Sequence, residues 1–166
     1  MTGSIDPLAC RYAAVARNQR HRTETIADVE GMATVLISEF RRQTNVIPKR
    51  VIYLRDGVAE GQYADIVRVE LEGIRNAAQK VSQGRTVAIT VIIVRKRHHT
   101  RLFPATQKEG DKNGNVLPGT VVDQGITHSI EFDFCVSSRY FADDSPRAAQ
   151  GVSRHCSSRT LSYIPG

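Results

Sequence analysis

Apolar and polar positions along the chain change period several times, and each change marks an element. Met1 to Arg11 shows no pattern and is expected to be unstructured, while Tyr12 to Ala16 is a short apolar stretch readable as a strand. Asn18 to Glu24 is strongly polar. From Thr25 the positions Ile26, Val29, Met32, Ala33, Leu36, Ile37 and Phe40 fall three or four apart, which predicts one apolar helix face. Gly31 costs about 1 kcal/mol in a helix interior and is a candidate break in this helix. Arg41 and Arg42 suit its last turn, and Asn45 and Pro48 end it.

Arg50 to Arg55 is the next strand, with the apolar run Val51 to Leu54 running out into Arg55-Asp56-Gly57. Glu60 to Val81 carries the clearest helical period, with Tyr63, Ile66, Val67, Leu71, Ile74, Ala77, Ala78 and Val81 on one side. Asp65, Arg68, Glu72 and Arg75 fall on the solvated side, and Ser82-Gln-Gly-Arg85 breaks the helix. Thr86 to Val94 is an almost unbroken β-branched run, expected to be a central parallel strand buried on both faces. Strand, helix and strand in this order form a right-handed βαβ unit whose strands point the same way. Asp56 and Arg95 therefore leave the sheet at one edge. Beyond it, Asn113-Gly114 predicts a turn, Gly119 to Val122 and Phe132 to Val136 predict short strands, and Ser137 to Gly166 shows no sustained period.

Composition places the chain among ordinary globular domains. It has 166 residues, 40% hydrophobic and 24% charged, a length that suits one domain with a real core. No apolar run approaches the ~18 residues of a membrane span, so no membrane partner is expected. The first residues lack a basic region followed by an apolar one, so no secretory leader is expected. The three cysteines, Cys10, Cys135 and Cys156, have no metal-ligand spacing and read as buried or incidental thiols in a reducing compartment. The expected location is the cytoplasm, with the nucleus as the alternative. The net charge of +6 fits a polyanionic partner, and one basic cluster stands out, Arg95 to Arg101.

Two features carry candidate chemistry. Asp56 sits just past the carboxyl end of a strand, the edge where ligands bind in open α/β sheets. Locally, an aspartate followed by a glycine also reads as a plain turn. The cluster Arg95, Lys96, Arg97, His98, His99 and Arg101 can meet successive phosphates or stand as a solvated basic loop. Adjacent side chains diverge, so His98 and His99 do not form a metal pair.

Three long stretches, in order, resemble one family. Tyr53-Leu-Arg-Asp-Gly-Val-Ala-Glu-Gly-Gln-Tyr63 resembles the tyrosine-arginine-aspartate-glycine-valine-serine-glutamate-glycine-glutamine segment of Argonaute PIWI domains. Lys96-Arg-His-His-Thr-Arg-Leu-Phe103 resembles their basic motif, and Leu117-Pro-Gly-Thr-Val-Val-Asp123 with Glu131-Phe-Asp-Phe134 resembles a third block. The resemblance covers roughly Tyr12 to Val136. It implies an α/β, ribonuclease H-like fold with a mixed sheet and flanking helices, here a partial one truncated at both ends. The expected layout is an unstructured 1–11, a partial PIWI domain at 12–136 and a divergent, disordered tail at 137–166.

The same resemblance implies a site. In the family an acidic tetrad holds two divalent metals, Mg or Mn, for RNA cleavage. Asp56 matches the second aspartate, as catalytic residue and metal ligand. His21-Arg-Thr-Glu24 resembles the family's histidine-arginine-glutamine-glutamate motif, which makes Glu24 the inserted glutamate, otherwise readable as an acidic residue at a helix N-terminus. The first aspartate's glycine-alanine-aspartate motif has no counterpart, and His155 is not assigned as the last member. With two of four residues, the chain is not expected to cleave RNA alone. Lys96, Arg97, His99 and Arg101 match residues that touch the guide backbone. Asp123 and Asp133 receive no role, and Phe132 and Phe134 are expected in the core. The implied partners are a small guide RNA and its target RNA, with other silencing proteins open. The alternatives are a phosphate-ester or nucleotide enzyme on the βαβ edge, which lacks a convincing glycine-rich phosphate loop, and a non-functional truncated product.

Overall fold

A computed structural model describes residues 1–58, 60–94, 100–127, 132–137 and 155–163. The chain divides into two units. The first comprises Met1–Tyr53, Ala59–Val91 and Ser162–Gly166, and the second Leu54–Val58 and Ile92–Leu161.

The first unit opens with a hairpin whose second strand falls in the stretch Tyr12 to Ala16 that reads as a strand, while its first lies where no element was expected. Strand β1 (Thr2–Ser4) pairs antiparallel with β2 (Tyr12–Ala14), Gly3 lying opposite Ala13. Asp6 closes the loop between them, its carboxylate accepting from Arg11 N at 2.7 Å and Cys10 N at 3.3 Å. The Arg11 N–H holds the Asp6 carboxyl below its ordinary range. A three-residue strand is too short to show a period; cross-strand pairing and the burial of Ile5 hold it in place.

Helix α1 (Val29–Thr44) starts later than the apolar period suggests. Asp28 caps it, accepting from Gly31 N at 3.1 Å, which satisfies one of the orphan donors of the first turn. Gly31 does not break the helix. It sits under the cap, where a Cβ would run into the Asp28 carboxylate. Asn45, left-handed at φ 56°, ends the helix and donates its N–H to Arg41 O at 2.8 Å.

The second helical stretch runs continuously but not uniformly. A 3-10 turn (Glu60–Gln62) leads into α2 (Tyr63–Asp65), a π segment (Ile66–Leu71) and α3 (Glu72–Ser82). Met32, Ala33, Leu36 and Ile37 of α1 and Ile74, Ala77, Ala78 and Val81 of α3 are buried. Each larger apolar side chain so removed from water contributes about 1.5–3 kcal/mol. Gly73 lets the helices approach, since a Cβ there would lie 3.2 Å from Glu30 N. Lys80 and Asn76 bond the Glu30 carboxylate, and Arg41 Nη1 donates to Val81 O at 3.0 Å. Lys80 draws the Glu30 carboxyl below its ordinary range.

Strands β3 (Arg50–Asp56) and β4 (Ala88–Val94) are neighbours in one sheet, and residues of each belong to both units. Ala88 N donates to Lys49 O at 3.1 Å, so the strands begin side by side and run parallel. That is the expected strand–helix–strand arrangement. The expected double-sided burial of β4 is not found. Ile89, Val91 and Ile93 are buried on one face, while alternate residues are only half-buried. β3 alternates likewise, leaving Ile52 66% and Leu54 64% exposed.

β5 (Val121–Val122) and β6 (Asp133–Val136) of the second unit and β7 (His155–Tyr163), all but its last two residues in that unit, form consecutive antiparallel pairs. β7 lies in the tail expected to be disordered. Its sequence is too polar for a hydrophobic period, and main-chain pairing to β6 defines it. The turn at Asn113-Gly114 is present, built on Asp111, whose carboxylate accepts from Asn113 N at 2.8 Å and Asn115 N at 2.9 Å. Phe132 is not core: it is 62% exposed, its ring centroid 5.9 Å from that of the half-buried Phe134. Cys135 is buried but disulfide-bonded rather than a free thiol, whereas Cys10 is free and exposed. Among the described residues no helix is long and apolar enough to cross a membrane.

Candidate functional site

β3 delivers Asp56 to its carboxyl end, where the residue is exposed. Gly57 follows at φ 78°, a left-handed conformation that glycine adopts without steric cost. A Cβ at Gly57 would meet nothing within 4 Å, so conformation rather than space selects glycine. The strand therefore stops in a sharp turn with Arg55 Nη1 donating to Asp56 O at 2.7 Å. The turn and the exposed carboxylate are one feature, not competing readings. Because β4 runs parallel to β3, Val94 reaches the same sheet edge within the second unit.

Of the basic stretch leaving β4, Lys96, Arg97 and His99 lie outside the described residues. Arg101 is described. It is exposed and donates from Nη1 to Thr100 O at 3.1 Å. Phe103, two residues on, is 78% exposed.

Glu24 is exposed in the segment ahead of α1, in the first unit, whereas Asp56 belongs to the second. Two side chains that sequence reasoning did not single out hold this segment. Gln19 Nε2 donates to Thr23 O at 2.7 Å and Thr25 O at 3.3 Å, while its Oε1 accepts from Ala27 N at 3.2 Å. Glu70, with 0% exposure in the π segment, accepts from Ile26 N at 2.9 Å and from the Tyr53 hydroxyl at 2.7 Å. A buried carboxylate needs such donors. It ties the Glu24 segment to β3, holding Ile26 ahead of α1, which starts at Val29. The signal was present as an acid between Ile66 and Ile74 on an apolar helix face.

Among the described residues no group of three or more histidines, cysteines, aspartates or glutamates is arranged to hold a metal ion. Two-metal catalysis needs several such donors converging on ions about 3.5–4 Å apart. The described side chains do not fit that requirement. Asp56 and Glu24 are exposed carboxylates in different units, and Arg101 is an exposed cation.

Comparison with known proteins places this geometry. The Piwi domain family model matches residues 1–149, a longer stretch than Tyr12 to Val136. The argonaute protein of Schizosaccharomyces pombe is 37% identical over 138 residues, covering 83% of this chain and 16% of that protein. The C-terminal lobe of a budding yeast Argonaute superposes with a TM-score of 0.70 at 27% identity, covering 84% of this chain and 29% of that one. Kluyveromyces polysporus Argonaute, solved with a guide RNA, gives 0.67 at 27% identity, covering 86% of this chain and 18% of its own. Drosophila Piwi, at 22% identity and a TM-score of 0.60 over 81% of this chain and 17% of that one, shares the fold. With the family model spanning most of its length, and with an α/β fold shared with Argonaute lobes, the chain belongs to the Piwi domain family.

Proposed function

We propose that the chain binds the sugar-phosphate backbone of a small guide RNA, or of a guide–target duplex, at the carboxyl edge of β3 and β4. One observation carries the reading. The parallel pair brings Asp56 and Val94, the residue that precedes the basic stretch in sequence, to one sheet edge in one unit. Arg101 contributes a guanidinium for planar phosphate contact. Lys96, Arg97 and His99, outside the described residues, join it through their match to the family's basic motif. The Kluyveromyces polysporus relative, crystallised with a guide RNA, supports this ligand class.

Metal-dependent cleavage is not assigned to this chain. Asp56 and Glu24 would each offer a carboxylate to Mg or Mn, which in the family activates water and stabilises the leaving oxygen. The described residues do not supply the further donors.

The test is fluorescence anisotropy with a labelled 21-nucleotide single-stranded RNA across a salt series. For single strands the slope of log K against log salt is about −0.7 per phosphate neutralised. Replacing Lys96, Arg97 and Arg101 together by alanine is expected to flatten the slope by about 2. Binding that is independent of salt, or a slope unchanged in the triple variant, overturns the assignment.

A further inference from the structure

We propose that Asn113 is a self-modification site, where the main-chain nitrogen of Gly114 converts the asparagine through a cyclic imide into isoaspartate and aspartate. The chain has five asparagines, Asn18, Asn45, Asn76, Asn113 and Asn115, and Asn113 alone is followed by glycine. The attacking nitrogen belongs to the following residue, so a Cβ on that residue crowds the reaction. Gln19 and Ala77 carry a Cβ, and Val46 and Val116 carry a branched one. Gly114 has none, and the space a Cβ would take there is empty to 4 Å.

The fold sharpens this choice. Asn113 and Gly114 are exposed at a hairpin tip closed by the Gly110–Val116 bridge and by Asp111 N donating to Asn115 O at 2.8 Å. The bonds that shape the tip run between its own residues. Nothing among the described residues bonds the Asn113 side-chain amide; only its main-chain N–H is taken, by the Asp111 carboxylate. Asn115 is half-buried, and its amide donates to both Asp111 carboxylate oxygens, at 3.4 and 3.2 Å. Asn76 lies within α3, and its amide donates to Glu30 at 3.3 Å.

The reaction needs no partner but water. Gly114 N attacks Asn113 Cγ and forms the N–Cγ bond; the Cγ–Nδ2 bond breaks, and ammonia leaves with the proton that Gly114 N gives up. Water then opens the imide. Cleavage of the N–Cγ bond gives aspartate, and cleavage at the main-chain carbonyl gives isoaspartate, whose chain runs through Cβ and Cγ. Ammonia is exchanged for water and one negative charge is gained. The Gly114 N–H is also the gate. Asp111 O holds it at 3.0 Å, in a turn that the Asp111 carboxylate braces through Asn113 N and Asn115 N. The nitrogen reacts only when this turn opens, so the folded chain reacts more slowly than a free peptide and loosening the turn speeds it. Isoaspartate lengthens the main chain at 113 and sets a second carboxylate near Asp111, which keeps the turn open afterwards. This proposal does not rest on RNA binding and stands if RNA binding fails.

The test incubates the whole chain at mildly alkaline pH, digests it with pepsin and maps the products by mass spectrometry, with isoaspartate read by an isoaspartate methyltransferase. The expected result is an ammonia-for-water mass gain confined to the peptide that carries residue 113, split into two isomers of which one is isoaspartate. Mass separates it from Asp56-Gly57, where isomerisation changes no mass. Asp111→Ala removes the brace, and the loss of about one net hydrogen bond of closure is expected to raise the rate about fivefold. The free peptide Glu109–Val116 is expected to react at one rate with and without that replacement. If circular dichroism shows Asp111→Ala unfolded, Gly114→Ala decides instead: it is expected to slow residue 113 to the level of the other asparagines, and an unchanged rate overturns the proposal. A rate at residue 113 of the parent chain no higher than at the other four asparagines also overturns it. So does aspartate without isoaspartate, which marks direct hydrolysis, and so does an equal rate in the parent and a folded Asp111→Ala.

Discussion

Replacing Glu70 by alanine probes the least legible feature of the fold. Its carboxylate is fully buried and accepts from Ile26 N–H and the Tyr53 hydroxyl. Hydrogen bonds to a charged group contribute about 1.5–3 kcal/mol each. Ile26 and Tyr53 are only half-buried, so water recovers part of the loss and the lower end applies. Glu70→Ala is thus expected to destabilise the chain by about 3 kcal/mol, a large share of the ~5–15 kcal/mol of a typical domain. Urea unfolding followed by far-UV circular dichroism measures this. With a slope near ~2 kcal/mol/M, the midpoint falls by about 1.5 M. Tyr53→Phe is expected to cost about 1.5 kcal/mol alone and much less in the Glu70→Ala background, because the bond it removes is already gone there. A midpoint shift under ~0.3 M for Glu70→Ala, or full additivity of the pair, would refute the reasoning.

Other expectations follow from single contacts. Asp28→Ala removes the α1 cap and is expected to cost about 1 kcal/mol in urea unfolding, with Asp28→Ser restoring most of it. Gly57→Ala forces a Cβ into φ 78° with no clash, and a thermal melt is expected to show a loss of about 1–2 kcal/mol that Gly57→Asn reduces. The Arg42 side chain, then Gln43, holds the Glu39 carboxyl at about 2. A carboxyl lowered on folding stabilises fully above its ordinary value of 4.5 and loses that contribution as pH falls toward about 2. Arg42→Met is therefore expected to lower the melting temperature at pH 7 and to match the parent near pH 2; a constant difference across that range counts against the pairing.

The parts legible in the sequence are those whose burial has a simple period. The α1 face from Val29 to Ile37 and the face from Tyr63 to Val81 show it, and the strand–helix–strand order follows. The π segment Ile66–Leu71 inserts an extra residue per turn, and Glu70 enters the interior through hydrogen bonds rather than hydrophobicity. A 3.6-residue period does not signal that. β1 and β7 are held by pairing with β2 and β6, information that resides in the partner strand. β4 looked buried on both faces because isoleucine and valine fill half-buried positions as readily as buried ones. At the site, Asp56 and Glu24 stood out through their motifs. Gln19 acts through main-chain bonds to Thr23, Thr25 and Ala27, for which no motif exists.

The most direct test of the central claim is photocrosslinking of the chain to 4-thiouridine-substituted guide-length RNA, with the crosslinked peptides mapped by mass spectrometry. The account predicts crosslinks within 95–103 and beside Asp56, lost when Lys96, Arg97 and Arg101 are replaced. Crosslinks that concentrate instead on the basic end of α1, at Arg41 and Arg42, would contradict it.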